Sequence, residues 1–377
     1  MKVLFVDDEP RVLEAIERSL FQLDLDWEVS FSGDGVAALA ELELAPVDVI
    51  VSDMRMPGMD GATLLTRVCE KYPQIVRIVL SGQTDEAAAL RVVRVAHQFL
   101  SKPCSSDTLK QVIERTQALK SWLNDERLQA QVGKIDHLPS APRLFEELNR
   151  ALASESTSAE TVEHIVRQDP AMSSKLLQVA NSSFFSSGSN VTDVRTAVIR
   201  LGLKTIRNLA LGIGAFEAFG KSGTPSARAI EDLQNRSLSI AKLAARIAKG
   251  TEDADTAFMC GLVCDIGELV LARHTQRDPI ADRERAHAHA HAHELGLGAV
   301  THAEVGAFLL GLWGLPYRVV EAVANHHAPE RNAYERLGLP QIVWLASCLV
   351  HAEEPNPEYI TRIGASKALA DAREFLT

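Results

Sequence analysis

A chain of 377 residues is too long for one ordinary domain and sets an expectation of two or three. Hydrophobic residues at 46% and charged residues at 24% describe a folded globular protein, and no apolar run reaches the roughly 18 residues that a membrane-spanning helix needs. Acidic residues outnumber basic ones, 50 to 39, and both ends share the excess (19 against 13 in residues 1–120, 31 against 26 in residues 121–377), which argues against broad binding to nucleic acid or anionic lipid. In chain order, Lys2–Val6 reads as a short buried strand that ends at Asp7 and Asp8. Residues 10–23 carry Val12, Leu13, Ile16 and Leu20 at helical spacing. A short strand at Glu28–Phe31 and a helix at Gly35–Leu44 follow. Val47–Ser52, aliphatic apart from Asp48 and Ser52, ends at Asp53 and reads as a strand covered on both faces. Then come a helix at Ala62–Tyr72, a strand at Ile75–Leu80, a helix over residues 85–96, and a short strand at Gln98–Leu100 before Lys102-Pro103.

Five strands alternating with helices imply a doubly wound parallel sheet, whose ligands sit at the carboxyl ends of the strands. Asp7, Asp8, Asp53, Ser81 and Lys102 all fall at those ends. Carboxylates crowded together repel one another unless a cation neutralises them, and an all-oxygen set favours a hard cation such as Mg²⁺. A hydroxyl and an ammonium beside them suit phosphoryl oxygens. The reading is a carboxylate nucleophile for phosphoryl transfer. The plainer alternative makes each Asp a helix cap.

Asp7-Asp8, Asp53-Met54-Arg55-Met56-Pro57-Gly58-Met59-Asp60-Gly61, Ser81-Gly82 and Phe99-Leu100-Ser101-Lys102-Pro103 together resemble the receiver domain of two-component response regulators, over about residues 1–120 and with no departure at a key position. The resemblance implies a flavodoxin-like fold and a phosphoacceptor at Asp53, served by a sensor histidine kinase or a phosphotransfer protein. It implies Mg²⁺ held by Asp8, Asp53 and the carbonyl of Arg55, with Asp7 acting through water. Ser81 and Lys102 would bind the phosphoryl group. Phe99 would be the aromatic switch that moves with Ser81, and Lys102-Pro103 a cis bond that aims the lysine.

Residues 105–132 carry Leu109, Val112, Thr116, Leu119 and Leu123 at spacings of three and four, as one long helix. Two readings stay open: a solvated connector, or a short coiled coil that makes the chain a homodimer. From Lys134 onward strand signals fade. Helical spacing covers Pro142–Leu152, Ala159–Gln168, Ala171–Ala180, Val194–Leu201, Lys204–Phe219, Ile230–Lys249, Ala254–Cys264, His302–Leu312 and Tyr317–His326. The expected organisation is a receiver at 1–120, an overlapping connector at 105–132, an all-α output domain at 133–352 and a helical tail at 353–377.

Asp265, His302, His326 and His327 are the residues of the second half that can do chemistry, since His and Asp from neighbouring helices can bind a divalent metal. Leu138–Pro142, Asp169–Ser182, Ala197–Gly202, His302–Leu310 and Trp313–Pro316 through His326–Pro329 resemble the HDOD domain, a relative of the HD and HD-GYP phosphohydrolases, over about residues 130–352. Catalytic relatives carry a His-Asp pair where this chain has Cys264-Asp265, an early His near Arg236-Ser237, and a later Asp near Ser347; the Gly-Tyr-Pro signature is absent too. The resemblance therefore implies a vestigial site at Asp265, His302, His326 and His327, weak in metal, with no firm cofactor and no hydrolysis. The competing function is a metal-dependent cyclic nucleotide or dinucleotide phosphodiesterase of HD type.

His287, His289, His291 and His293 alternate with Ala and read as a low-complexity insertion with adventitious metal affinity. Cys260 and Cys264 read as small core residues, and Trp122, Trp313 and Trp344 as packing. Five scattered Cys, with no segment shaped like a signal peptide, set an expectation of reduced thiols in the cytoplasm. The resulting expectation is a response regulator whose receiver passes its state to a downstream signalling protein through a non-catalytic helical domain.

Overall fold

A computed structural model describes residues 1–23, 25–82, 95–123, 126–135, 138–140, 142–154, 156–182, 185, 189–212, 217–218, 226–275, 300–331 and 336–376. The helix expected over residues 85–96 lies almost wholly outside them, as does the His287–His293 repeat. Contacts divide the chain into two units, one built mainly from Met1–Asp136 and one from the remainder.

The first unit is a five-stranded parallel sheet: β1 (Lys2–Val6), β2 (Glu28–Ser32), β3 (Val49–Asp53), β4 (Val76–Ser81) and β5 (Gln98–Ser101), in the order β2-β1-β3-β4-β5. Central strands are buried along their length because helices cover both faces, which is why β3 and β4 are rich in Val, Ile and Leu, with Arg77 the one basic residue inside β4. Register sets Asp53 opposite Leu80 and Ser81 opposite Ser101, so the ends of three strands form one edge. Side-chain oxygens start the helices that leave this edge. Asp34 accepts from the Val36 and Ala37 amides, Asp60 from Thr63 and Ser105 from Thr108.

The long helix expected over 105–132 is two helices, Ser106–Trp122 and Glu126–Gly133. Leu123 leaves the helical region (φ −123°, ψ 87°), and the Gln129 side chain reaches back to its carbonyl at 2.5 Å. The apolar stripe continues across the break, so its period could not reveal it. Leu109, Thr116, Leu119 and Leu123 are already buried in the single chain, which leaves those four positions no exposed seam for a coiled coil.

Helices dominate the second unit. Ala227–Ile247 packs against Ala254–Val263 and Leu339–Val350, and the C-terminal Ser366–Leu376 helix packs on it as well. Asp169 begins the Pro170–Ala180 helix by accepting from the Met172 amide at 2.9 Å, while its other oxygen takes a 2.6 Å bond from Gln234. The joint at Leu201-Gly202 lies inside Val194–Arg207, where Gly202 adopts φ 72° and ψ 157°, a conformation open in practice to glycine alone.

The helix expected at Lys204–Phe219 is corrected. Regular helix ends at Arg207, a π-turn covers Asn208–Gly212, and Glu217–Ala218 pairs as a two-residue strand with Pro139–Ser140. Gly212, at the end of the π-turn, weakens any regular helix there. Trp313 and Trp344 are buried, the latter edge-on to Tyr359 at 5.1 Å. All five cysteines are free thiols. Burial raises the pKa of Cys260 and pushes Cys348 up to about 12. None of the described helices is long and apolar enough to cross a membrane.

Candidate functional site

The edge formed by β1, β3, β4 and β5 gathers the groups expected there. Asp7 and Asp53 are buried at the ends of β1 and β3, and Asp8 is half-buried beside Asp7. Lys102 reaches both buried carboxylates: its Nζ lies 2.5 Å from Asp7 Oδ2 and pairs with Asp53 Oδ1. The cis Lys102–Pro103 bond and the bond from the Lys102 amide to the Ser81 carbonyl (2.7 Å) fix where that lysine starts. Burial lowers the Lys102 pKa, but hydrogen bonds and charge from Asp53 and Asp7 together outweigh it, and the net shift is upward. The Arg55 amide donates to Asp53 Oδ2 at 2.5 Å, and the Glu9 amide to Asp7 Oδ1 at 3.0 Å. Ser81 is buried at the end of β4, its hydroxyl donating to the Gly82 carbonyl. Phe99 is buried on β5, paired with Val79.

Gly61 is obligatory behind this pocket, because a Cβ there would lie 2.1 Å from the Asp53 carbonyl oxygen. Three carboxylates against one ammonium leave two formal negative charges at one edge. The donors are oxygens, and two of the acids are buried. That donor set fits Mg²⁺, with Asp8, Asp53 and the Arg55 carbonyl as the residues that would hold it.

A second cluster forms inside the helical unit. Asp265 lies between the helices Ala254–Val263 and Ile266–Thr275. His302 opens the helix His302–Leu312, and His326 and His327 follow the helix Tyr317–Ala324. Two of these helices touch backbone to backbone at Gly267 and Gly306, where a Cβ on Gly267 would sit 2.0 Å from the His302 carbonyl oxygen. That approach sets His302 Nε2 3.4 Å from Asp265 Oδ1, and His326 Nε2 stands at the same distance. His302 Nε2 is 3.3 Å from His326 Nε2 and 3.0 Å from His327 Nε2. His326 Nδ1 lies 2.7 Å from the Val323 carbonyl, which makes Nδ1 the protonated nitrogen of the neutral ring and turns the Nε2 lone pair inward.

Arg236 completes the picture from the Ala227–Ile247 helix. Its Nε donates to Asp265 Oδ2 at 3.0 Å and its Nη2 to Glu268 Oε2 at 2.5 Å. Burial lowers the Arg236 pKa, but the charges of Glu268 and Asp265 outweigh it and hold the guanidinium fully protonated. Sequence reasoning named this stretch only as the place of an absent histidine. It missed Glu268, although two carboxylates three residues apart across a helix start were a legible signal. Cys264 does not join the cluster: its thiol donates to the Gly261 carbonyl at 3.3 Å. The Ser347 hydroxyl is 3.3 Å from His351 Nδ1.

Comparison with known proteins matches residues 138–329 to the HDOD domain and residues 3–114 to the response regulator receiver domain. An uncharacterized protein of Treponema pallidum is 27% identical over 65% of this chain and 51% of its own length. The hydrogenase transcriptional regulatory protein HoxA of Cupriavidus necator is 37% identical over 44% of this chain and 33% of its own. The chain thus spans about half of the length of the first of these curated relatives and a third of the second. Among solved structures, the MmoQ response regulator of Methylococcus capsulatus aligns with a TM-score of 0.49 at 24% identity, covering 63% of this chain and 97% of that one. The chain belongs to the HDOD-domain proteins, and a response regulator receiver domain of two-component systems precedes its HDOD domain.

Proposed function

We propose that Asp53 accepts a phosphoryl group from a sensor histidine kinase or phosphotransfer protein, and that the phosphorylated receiver switches an HDOD output that acts by protein contact rather than by hydrolysis. The observation that carries the reading is Lys102 bridging Asp7 and Asp53 at the strand edge, with the Arg55 amide on the other oxygen of Asp53. A carboxylate oxygen of Asp53 attacks the phosphorus of a phosphohistidine. The new P–O bond forms as the P–N bond breaks, and the electron pair leaves on the donor imidazole. Lys102 offsets charge on the phosphoryl oxygens, and Ser81 donates its hydroxyl to one of them. Mg²⁺, when bound, neutralises the remaining phosphoryl charge.

On the output side, Cys264 and Ser347 stand where hydrolytic relatives supply ligands, and Arg236 occupies Asp265. The His/Asp cluster favours one rival, a metal-dependent phosphodiesterase of HD type. The test has two arms. Acetyl phosphate with Mg²⁺ should label the full chain, and Asp53→Asn should abolish the label; label that persists in Asp53→Asn sinks the phosphoacceptor. Cyclic mono- and dinucleotides with added Mn²⁺ should go unhydrolysed, and turnover lost in His302→Ala would establish the rival.

A further inference from the structure

Four donors of the helical unit converge, the number that a tetrahedral shell needs. Sequence reasoning counted the ligands this chain lacks and expected weak metal binding. The geometry counts the ligands that meet. Asp265 Oδ1 and the Nε2 atoms of His302 and His326 are separated by 3.3–3.4 Å, His327 Nε2 stands 3.0 Å from that of His302, and all four ligand atoms lie within 4.8 Å of one another. A tetrahedral ion with bonds of about 2.0–2.1 Å requires ligand atoms about 3.3–3.4 Å apart. The match therefore needs no repacking of the three buried residues.

Three imidazoles and one carboxylate suit Zn²⁺ or a neighbouring transition metal and disfavour Mg²⁺. His326 already directs Nε2 inward through the bond of Nδ1 to Val323. His327 is half-buried while the other three are buried, so an ion has a way in.

The number of ions follows from Arg236. A carboxylate that serves two metals must offer one oxygen to each. Here the second oxygen of Asp265 is taken by Arg236, which also holds Glu268. A buried guanidinium beside that oxygen repels a second cation and occupies its place. Without a second ion, and with all four positions of the first filled by protein, no metal-bound water is left to attack a phosphodiester.

We propose that Asp265, His302, His326 and His327 hold one tetrahedral transition-metal ion of the Zn²⁺ class, as a structural centre of the HDOD domain, and that Arg236 excludes a second. This deepens the non-hydrolytic reading of the output domain and is independent of phosphorylation at Asp53.

Co²⁺ serves as the probe, because a tetrahedral site gives it an intense visible absorption. The full chain carries Asp8→Ala, to silence the receiver site, and Ala at His287, His289, His291 and His293, to silence the repeat. After chelator treatment it should take up one Co²⁺ with the intense band, and Zn²⁺ should displace it. His327→Gln, at the half-exposed position, should lose the band while keeping the circular dichroism of the parent. Excess Zn²⁺ should saturate the parent at one tight ion, and Arg236→Ala should admit a second. No intense band in the parent, or a band untouched by His327→Gln, overturns the site. A second tight ion in the parent, or one ion only in a folded Arg236→Ala, overturns the role of Arg236. None of these outcomes alters labelling of Asp53, so failure here is distinguishable from failure of the receiver reading, and metal-dependent turnover would strike the non-hydrolytic reading itself.

Discussion

Arg77 and Gly133 are joined directly: Nη2 of the Arg77 guanidinium donates to the Gly133 carbonyl at 2.6 Å. The same guanidinium donates to the carbonyls of Val95, Pro73 and Ile75, and burial pushes its pKa down to about 10, still well above neutral. β4 is thereby tied to the end of the second connector helix, and to the stretch that leads into β5.

The contact leaves no slack, since a Cβ on Gly133 would lie 2.0 Å from the Pro73 carbonyl oxygen. Gly133→Ala should therefore destabilise the receiver unit by about 1–3 kcal/mol, the range for overpacking a filled site. Arg77→Met should cost about 3 kcal/mol or more, because several buried carbonyls lose their donor together. Urea unfolding of the full chain, followed at its receiver transition, measures both; unchanged midpoints would make the tie incidental.

The receiver was legible because its signals are local or periodic. Val49–Asp53 and Val76–Ser81 are mostly aliphatic, Arg77 being the one charged residue before their ends, and the acids, Ser81 and Lys102 fall at strand ends. The break at Leu123 was hidden because apolar spacing runs on while the backbone leaves the helix. The Arg236–Asp265 bond spans 29 residues, and the convergence of His302 with Asp265 depends on two glycines whose contact no spacing announces. Ligands could be named one by one from the sequence; whether they met was decided by helix packing.

Gly61 offers a test of the phosphoacceptor that leaves every acid in place. Alanine there would put Cβ 2.1 Å from the Asp53 carbonyl oxygen and move the strand end that aims the carboxylate. A displacement near 1 Å costs about 100-fold in a positioned reaction. The rate of labelling by acetyl phosphate should fall by about 10- to 100-fold in Gly61→Ala. A rate equal to the parent's would mean the pocket tolerates the shift and that Asp53 is not held as tightly as its contacts imply.

Lys102 sets the pH behaviour of the pocket. Its folded pKa is raised, so its ion pairs contribute in full below the unfolded value of about 10.4 and are lost only as pH rises through the higher folded value. Labelling of Asp53 should therefore show no inflection from Lys102 between about pH 7 and 9.5. An alkaline fall inside that window, absent from Lys102→Ala, would show that the lysine loses its proton earlier than its partners allow.

Gly267 tests the packing that assembles the histidine cluster. Alanine there must move the His302 helix away from Asp265, since Cβ would meet the His302 carbonyl oxygen at 2.0 Å and the Gly306 amide at 2.8 Å. Co²⁺ affinity should weaken by at least about tenfold, the lower end of what disturbing a ligand's support costs. Alanine at Gly306 should weaken it less, because its nearest contacts begin at 3.0 Å. Equal affinity in Gly267→Ala would separate metal binding from this helix contact.

In the proposed relay a change at Asp53 enters the connector, and the two-helix geometry says where to look. Phosphate on Asp53 would draw the Ser81 hydroxyl toward it and change the packing around Phe99, two strand positions before Ser101. β5 leads through Lys102-Pro103 into the Ser106–Trp122 helix, and Arg77 ties β4 to Gly133 at the end of the next one. A change in the sheet thus has two routes into the connector, which meet on either side of Leu123. Hydrogen exchange of the full chain with and without beryllofluoride should show altered protection over residues 95–101 and in both connector helices. Arg77→Met should suppress the change in Glu126–Gly133 while sparing that in Ser106–Trp122, because only the second helix depends on the guanidinium. Change confined to the neighbourhood of Asp53 would end the relay. Change in Glu126–Gly133 that survives Arg77→Met would leave β5 and the first connector helix as its route.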